Sequence, residues 1–101
     1  MTQNKILHLN LKKEWFDKIK TGEKTIEYRE VKPYWTDRLC YSVSKGFKEF
    51  DKIIFKNGYQ KNAPKLEAKL LKIELLQDGL NTDLKIDKPV YAIYFKLLGD
   101  D

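Results

Sequence analysis

The sequence contains a single cysteine, Cys40, and a single histidine, His8, among its 101 residues. One cysteine cannot form an intramolecular disulfide, and one cysteine with one histidine is too few for a Cys/His zinc site. We therefore expect a reduced compartment, the cytoplasm, and neither a metal nor another cofactor. No stretch approaches the roughly 20 apolar residues of a membrane-spanning helix, and the N-terminal residues lack the apolar core of a signal peptide, so no membrane association is expected.

Arginine is also scarce, because only Arg29 and Arg38 are arginine among the 20 positively charged residues. Against 15 acidic residues these give a net charge of +5. A basic surface attracts phosphate, which makes nucleic acids and nucleotides candidate partners, although lysines often serve only as solvated surface charge. The chain length suits a single domain, residues 1–101, and the hydrophobic fraction of 42% indicates that it folds.

The chain opens with the pattern of a strand followed by a short helix. Apolar and polar residues alternate over Ile6–Leu11, which predicts a strand with one buried face and with His8 on the other face. The next apolar residues are spaced four apart, as on one side of a helix: Leu11, Trp15 and Ile19. Gly22 follows the last of them, at a position where a left-handed helix cap needs glycine.

A second strand and helix are predicted after Gly22. Residues 25–31 are β-prone, and a period of two places Glu27 and Arg29 on the same face. Pro33 suits the first turn of a helix over 34 to about 41, in which Cys40 is expected to be a small buried hydrophobe. Trp35 in this helix has the spacing of a core residue, and it is also a candidate stacking surface together with Tyr34.

The rest of the chain predicts mostly strands. Residues 42–50 have no clear period and are expected to form a loop, whereas 52–55 form a short strand closed by a turn at 56–59. Residues 65–76 fit a strand with a one-residue slip in phase, and they fit a helix as well. Residues 90–98 are apolar on both faces, as in a central strand, and the order of elements indicates an α+β domain.

The charged residues next to Gly22 are the clearest candidates for a site. Lys24, Glu27 and Arg29 fall within six residues, and a lysine, a carboxylate and an arginine together can bind a phosphate or polarise a carbonyl. The alternative is an ion pair on an exposed strand, which is common and contributes little.

The spacing Gly22-x-Lys24-x-x-Glu27-x-Arg29 resembles the G-x-K-x-x-E-x-R signature of the ASCH domain family. Segments 28–35 (YREVKPYW) and 55–59 (FKNGY) are similar to segments of small ASCH proteins from bacteria and phages. The resemblance extends over about residues 5–64 and more loosely over the final strand.

This resemblance implies a PUA-like fold, a small mixed β-barrel flanked by short helices, and it favours a strand with a β-bulge for 65–76. It also implies that the chain binds RNA or a modified nucleobase in a basic cleft. We expect the chain to be a monomer or a weak dimer. The residues expected to bind the ligand are Lys24, Glu27, Arg29, Tyr28, Asn57, Tyr59 and His8.

The sequence is compatible with two other functions. Some small ASCH proteins act as amidohydrolases on N4-acetylcytidine, with a lysine and a threonine three residues later; Lys24 matches the lysine, but Glu27 stands at the threonine position. If the chain is an enzyme of this kind, or a ribonuclease, Lys24 and Glu27 are the candidate catalytic residues. The other alternative is a phage-type protein that binds a host protein.

Overall fold

A computed structural model describes residues 5–42 and 46–99 of the chain, and within them it contains two short helices and seven strands. In chain order these are β1 (Ile6–Leu11), α1 (Lys13–Lys20), β2 (Ile26–Glu30), α2 (Pro33–Leu39), β3 (Cys40–Ser42), β4 (Gly46–Phe47), β5 (Lys52–Asn57), β6 (Lys65–Leu76) and β7 (Val90–Leu97). This content confirms the predicted α+β class. None of the helices in the described part of the chain has the length and apolar character needed to cross a membrane.

Five of the strands form one sheet in the order β1-β5-β6-β7-β2. Strand β1 runs parallel to β5, whereas β5 is antiparallel to β6 and β2 is antiparallel to β7. Strand β7 is therefore an interior strand, as its apolar sequence predicts, and its first four residues are all buried. Strands β3 and β4 form a separate two-stranded sheet.

The described residues divide into two compact units. The first unit comprises 5–25, 50–71 and 95–99, and the second comprises 26–42, 46–49 and 72–94. In the first unit the alternation of β1 buries three leucines, and Phe16 and Ile19 of α1 are also buried. Phe55 and Phe95 contact each other with ring centroids 4.7 Å apart. Gly22 has a φ of 86°, so it adopts the left-handed conformation that its place after α1 predicts.

The second unit is built on the antiparallel pair of β2 and β7. Val90, Tyr91 and Ile93 of β7 are buried, and Leu39 of α2 is fully buried as well. The connection before β7 is held close to it, because a Cβ at Gly79 would lie only 2.7 Å from a methyl carbon of Val90. Glycine is therefore needed at this position for steric reasons.

Two predictions about the middle of the chain are wrong. Helix α2 ends at Leu39, and Cys40 lies in strand β3 with intermediate exposure rather than buried in a helix. The expected loop over 42–50 contains strand β4, which pairs with β3, while residues 43–45 lie outside the described part of the chain. Strands of two or three residues are too short to show a period in the sequence, which is why the pattern missed them.

Residues 65–76 form one strand of twelve residues, which resolves the choice between helix and strand. Leu66, Ala68 and Leu70 are buried or half-buried, in agreement with the first phase of the alternation. Leu71 and Leu75, which begin and end the alternation after the slip, are 56% and 58% exposed. The apolar residues after the slip in phase therefore do not form a continuous buried face of β6.

Candidate functional site

Strand β2 places Glu27 and Arg29 side by side on one face of the second unit. Their partners across the antiparallel pair with β7 are Ile93 and Tyr91, so these four side chains share a face. Glu27 is only 5% exposed. A carboxylate this far from water needs a cationic or hydrogen-bonding partner, because burial penalises the charged form.

Arg29 supplies that partner. Its Nε and Nη2 both donate to Oε2 of Glu27, at 2.9 and 2.5 Å. The Arg29 side chain is 18% exposed and that of Glu27 is 7% exposed, so the contact is not a solvated surface ion pair. The paired N–H groups fix the orientation of the guanidinium as well as its position.

The guanidinium of Arg29 also lies over an aromatic ring. Its Cζ is 4.8 Å from the ring centroid of Trp35, which is half-buried near the start of α2. At this distance the cation is attracted to the face of the indole. Trp35 is therefore partly exposed and contacts a cation, so apolar side chains alone do not enclose it.

The second arginine of the chain approaches the same aromatic residues. Cζ of Arg38 is 5.1 Å from the ring centroid of Tyr34 and 5.9 Å from that of Trp35. The two rings meet edge to face, with centroids 4.9 Å apart. Both arginines of the sequence therefore contact one pair of aromatic rings, and we call Arg29, Tyr34, Trp35 and Arg38 the arginine–aromatic cluster.

Arg38 is the functional candidate that sequence reasoning missed. Two signals in the sequence pointed to it: the rarity of arginine in a lysine-rich chain, and its spacing within α2. Residues three and four apart in a helix are neighbours on its surface, which places Arg38 beside both Trp35 and Tyr34.

Helix α2 is tied to β7 by a hydrogen bond between hydroxyl groups. Oγ1 of Thr36 and Oη of Tyr91 are 2.6 Å apart, and Sγ of Cys40 donates to the same Oη at 3.9 Å. Burial is the main cause of a raised pKa for Tyr91, so its hydroxyl keeps its proton in alkaline solution longer than an exposed tyrosine does. This contact ties the helix that carries Trp35 to Tyr91, which is the partner of Arg29 across the β2–β7 pair.

Tyr28, which was expected to bind the ligand with Glu27 and Arg29, lies on the opposite face of β2. Its partner on β7 is Ala92 and its side chain is half-buried. Burial, and then the negative charge of Asp83, raise the pKa of Tyr28. On the same face, Tyr94 donates a hydrogen bond of 2.9 Å to Glu74. The structure therefore does not bring Tyr28 together with the Glu27–Arg29 pair.

The remaining predicted site residues belong to the first unit. Nζ of Lys24 lies 5.4 Å from the ring centroid of Trp15. His8 is exposed on β1 beside Ile54, whereas Asn57 ends β5 beside Leu11, which places their side chains on opposite faces of the sheet. Tyr59 is 84% exposed. That these four residues bind a ligand stays a prediction.

Two further results bear on what the site could hold. Within residues 5–42 and 46–99, no three side chains of His, Cys, Asp or Glu come together in a way that could hold a metal ion. No protein-family model matches this chain, and no curated protein matches it. The function must therefore be inferred from the chemistry of the chain's own residues.

Proposed function

We propose that this chain binds RNA or a modified nucleobase at the arginine–aromatic cluster, and that it is a PUA-like protein of the ASCH domain family. The observation that carries the binding proposal is the Arg29 guanidinium, which the Glu27 carboxylate orients and which lies over Trp35. The G-x-K-x-x-E-x-R spacing supports the family proposal, because two of its fixed residues form this contact. Lys24, the other charged residue of the signature, belongs to the first unit, and its role in binding a ligand stays a prediction.

A guanidinium held in this way suits a nucleobase. The guanidinium group is planar, and its N–H donors match carbonyl, ring-nitrogen and phosphate acceptors. A base can also stack on its plane, as it does on an aromatic ring. Glu27 is too deeply buried to be the main contact with a ligand, so its role is to position Arg29. Because the pair is formed within the protein, Arg29 loses little conformational freedom when a ligand arrives.

The aromatic residues supply the other half of the recognition. Unpaired bases are commonly bound by stacking on tyrosine or tryptophan, which tolerates any base because every base has a π-face. Tyr34 is 59% exposed and Trp35 is half-buried beside it. The net charge of +5 adds long-range attraction for a polyanion.

The test is the affinity for a fluorescent single-stranded RNA of about eight nucleotides, a length typical of a small binding domain. We expect the double variant Glu27→Gln with Arg29→Gln to bind about tenfold to a hundredfold more weakly than the wild type, because a charge-assisted contact is lost. The double variant replaces the ion pair by a neutral hydrogen-bonding pair, so that no single buried charge is left behind. Amide NMR spectra establish that it remains folded.

The control is Lys96→Gln, which removes one positive charge from an exposed lysine. It is expected to lower the affinity only slightly, through the reduced net charge. Equal affinities of the wild type and the folded double variant would contradict the proposal, and so would the failure of the wild type to bind RNA, nucleotides or modified nucleosides.

A further inference from the structure

Arg38 differs from Arg29 in what holds it. It lies exposed in the last turn of α2, where the structure gives its guanidinium two contacts, the rings of Tyr34 and Trp35. Among residues 5–42 and 46–99, no carboxylate lies within ion-pair distance of Arg38 and its side chain donates no hydrogen bond. Arg29, by contrast, is paired with Glu27.

Such an arginine is held in place but not neutralised. The rings restrict where the guanidinium lies, while no acid among the described residues lies close enough to offset its charge. Both guanidinium carbons lie within 6 Å of the Trp35 centroid, at 4.8 and 5.9 Å. Glu27 offsets the charge of Arg29, so the unbalanced positive charge at this ring belongs to Arg38, and an anion bound to Arg38 would offset it.

The chemistry of the site favours a phosphate as that anion. A guanidinium forms two parallel hydrogen bonds with phosphate oxygens, and the bulk of contacts between proteins and nucleic acids go to the backbone. The neighbouring Tyr34 ring is exposed and can stack on a base. A phosphate contact and a stacking surface side by side match a single strand, whose bases are available, better than a duplex.

We propose that Arg38 and Tyr34 form a phosphate-binding subsite for single-stranded nucleic acid, next to the base-binding position at Arg29 and Trp35. This inference rests on the proposed function and specifies its ligand as a phosphorylated single strand, not a free nucleoside. Arg38 binds a backbone phosphate, and the base beside that phosphate stacks on Tyr34.

The experiment compares the wild type with Arg38→Gln on three probes: the eight-nucleotide single strand, its blunt duplex and the unphosphorylated nucleoside cytidine. Titrations of the single strand are repeated over a series of salt concentrations. We expect Arg38→Gln to weaken single-strand binding about tenfold and to reduce the slope of log affinity against log salt by about 0.7, the value for one lost phosphate contact on a single strand. Cytidine binding is expected to be unchanged.

Two control variants separate the effect of the planar donor pair of Arg38 on RNA affinity from the effect of its positive charge. Arg38→Lys keeps the charge but lacks the planar donor pair, so it should recover the salt slope and only part of the affinity. Lys96→Gln should leave the affinity near that of the wild type, and the wild type should bind the single strand more tightly than the duplex. Because Arg38 is exposed, none of its variants is expected to unfold the chain.

The outcomes separate the two proposals. If the Glu27/Arg29 double variant loses RNA binding while Arg38→Gln keeps both the affinity and the salt slope, the subsite is wrong and the proposed function stands. If Arg38→Gln weakens cytidine as much as RNA, Arg38 contacts the base and the phosphate assignment is wrong. If the wild type binds neither RNA nor cytidine, the proposed function fails and the subsite fails with it.

Discussion

At the scale of single residues, the site depends on a spacing of two along one strand. The sequence predicts that Glu27 and Arg29 share a face, and the contact between their side chains confirms it. That Glu27 is buried could not be predicted, because its burial depends on the pairing of β2 with β7, which is far along the chain. The same residue types on an unpaired strand would form an exposed ion pair of little consequence.

The burial of Glu27 leads to a prediction about stability. We expect Arg29→Gln to lower the free energy of unfolding by about 3 kcal/mol, because the buried carboxylate loses its guanidinium, and Glu27→Gln to lower it by less. The double variant should be destabilised by less than the sum of the two single variants, because it leaves no unbalanced charge. Urea denaturation of the four proteins measures this, and additive losses would show that the two side chains are not coupled.

At the scale of elements, helix α2 adds two aromatic rings and a second arginine to the Glu27–Arg29 ion pair, and these together form the candidate site. Pro33 correctly predicts where this helix begins, since proline is favoured in the first turn. The helix ends about two residues earlier than the sequence predicts, because Cys40 and Tyr41 enter a short strand that no periodicity reveals. The placement of Trp35 and Arg38 against each other follows from helical spacing, whereas the contact with Arg29 depends on how α2 packs in the second unit.

Tyr91 is the residue that ties α2 to β7, and its removal is the test at this scale. We expect Tyr91→Phe to lower the free energy of unfolding by about 1 kcal/mol at neutral pH, because the hydrogen bond with Thr36 is lost. Tyr59→Phe, at an 84% exposed position, is the matched control and should change little.

The same variant changes how stability depends on pH. Burial raises the pKa of Tyr91 above its ordinary value of 10.0, so the folded protein holds this proton more tightly than the unfolded chain. The stabilisation is complete below about pH 10 and is lost as the pH rises through the raised pKa. Wild-type stability should therefore fall more steeply than that of Tyr91→Phe above about pH 10, and identical slopes in urea titrations would contradict this assignment.

At the scale of the whole molecule, composition indicated a class of partner but not a place for it. The net charge of +5 comes from lysines spread along the sequence, which on their own specify no site. The two arginines indicate where on the protein the partner binds, because each contacts Tyr34, Trp35 or both. Charge, aromatic residues and the signature thus favour the same ligand class from separate features of the chain.

Whether nucleic acid binds at the arginine–aromatic cluster is tested by NMR of isotope-labelled protein titrated with the single-stranded RNA. We expect progressive shifts of the Trp35 indole N–H and of the amides of Arg29 and residues 34–38, and Trp15→Phe serves to assign the two indole signals. Saturable RNA binding that leaves these signals unmoved would show that RNA binds elsewhere on the protein.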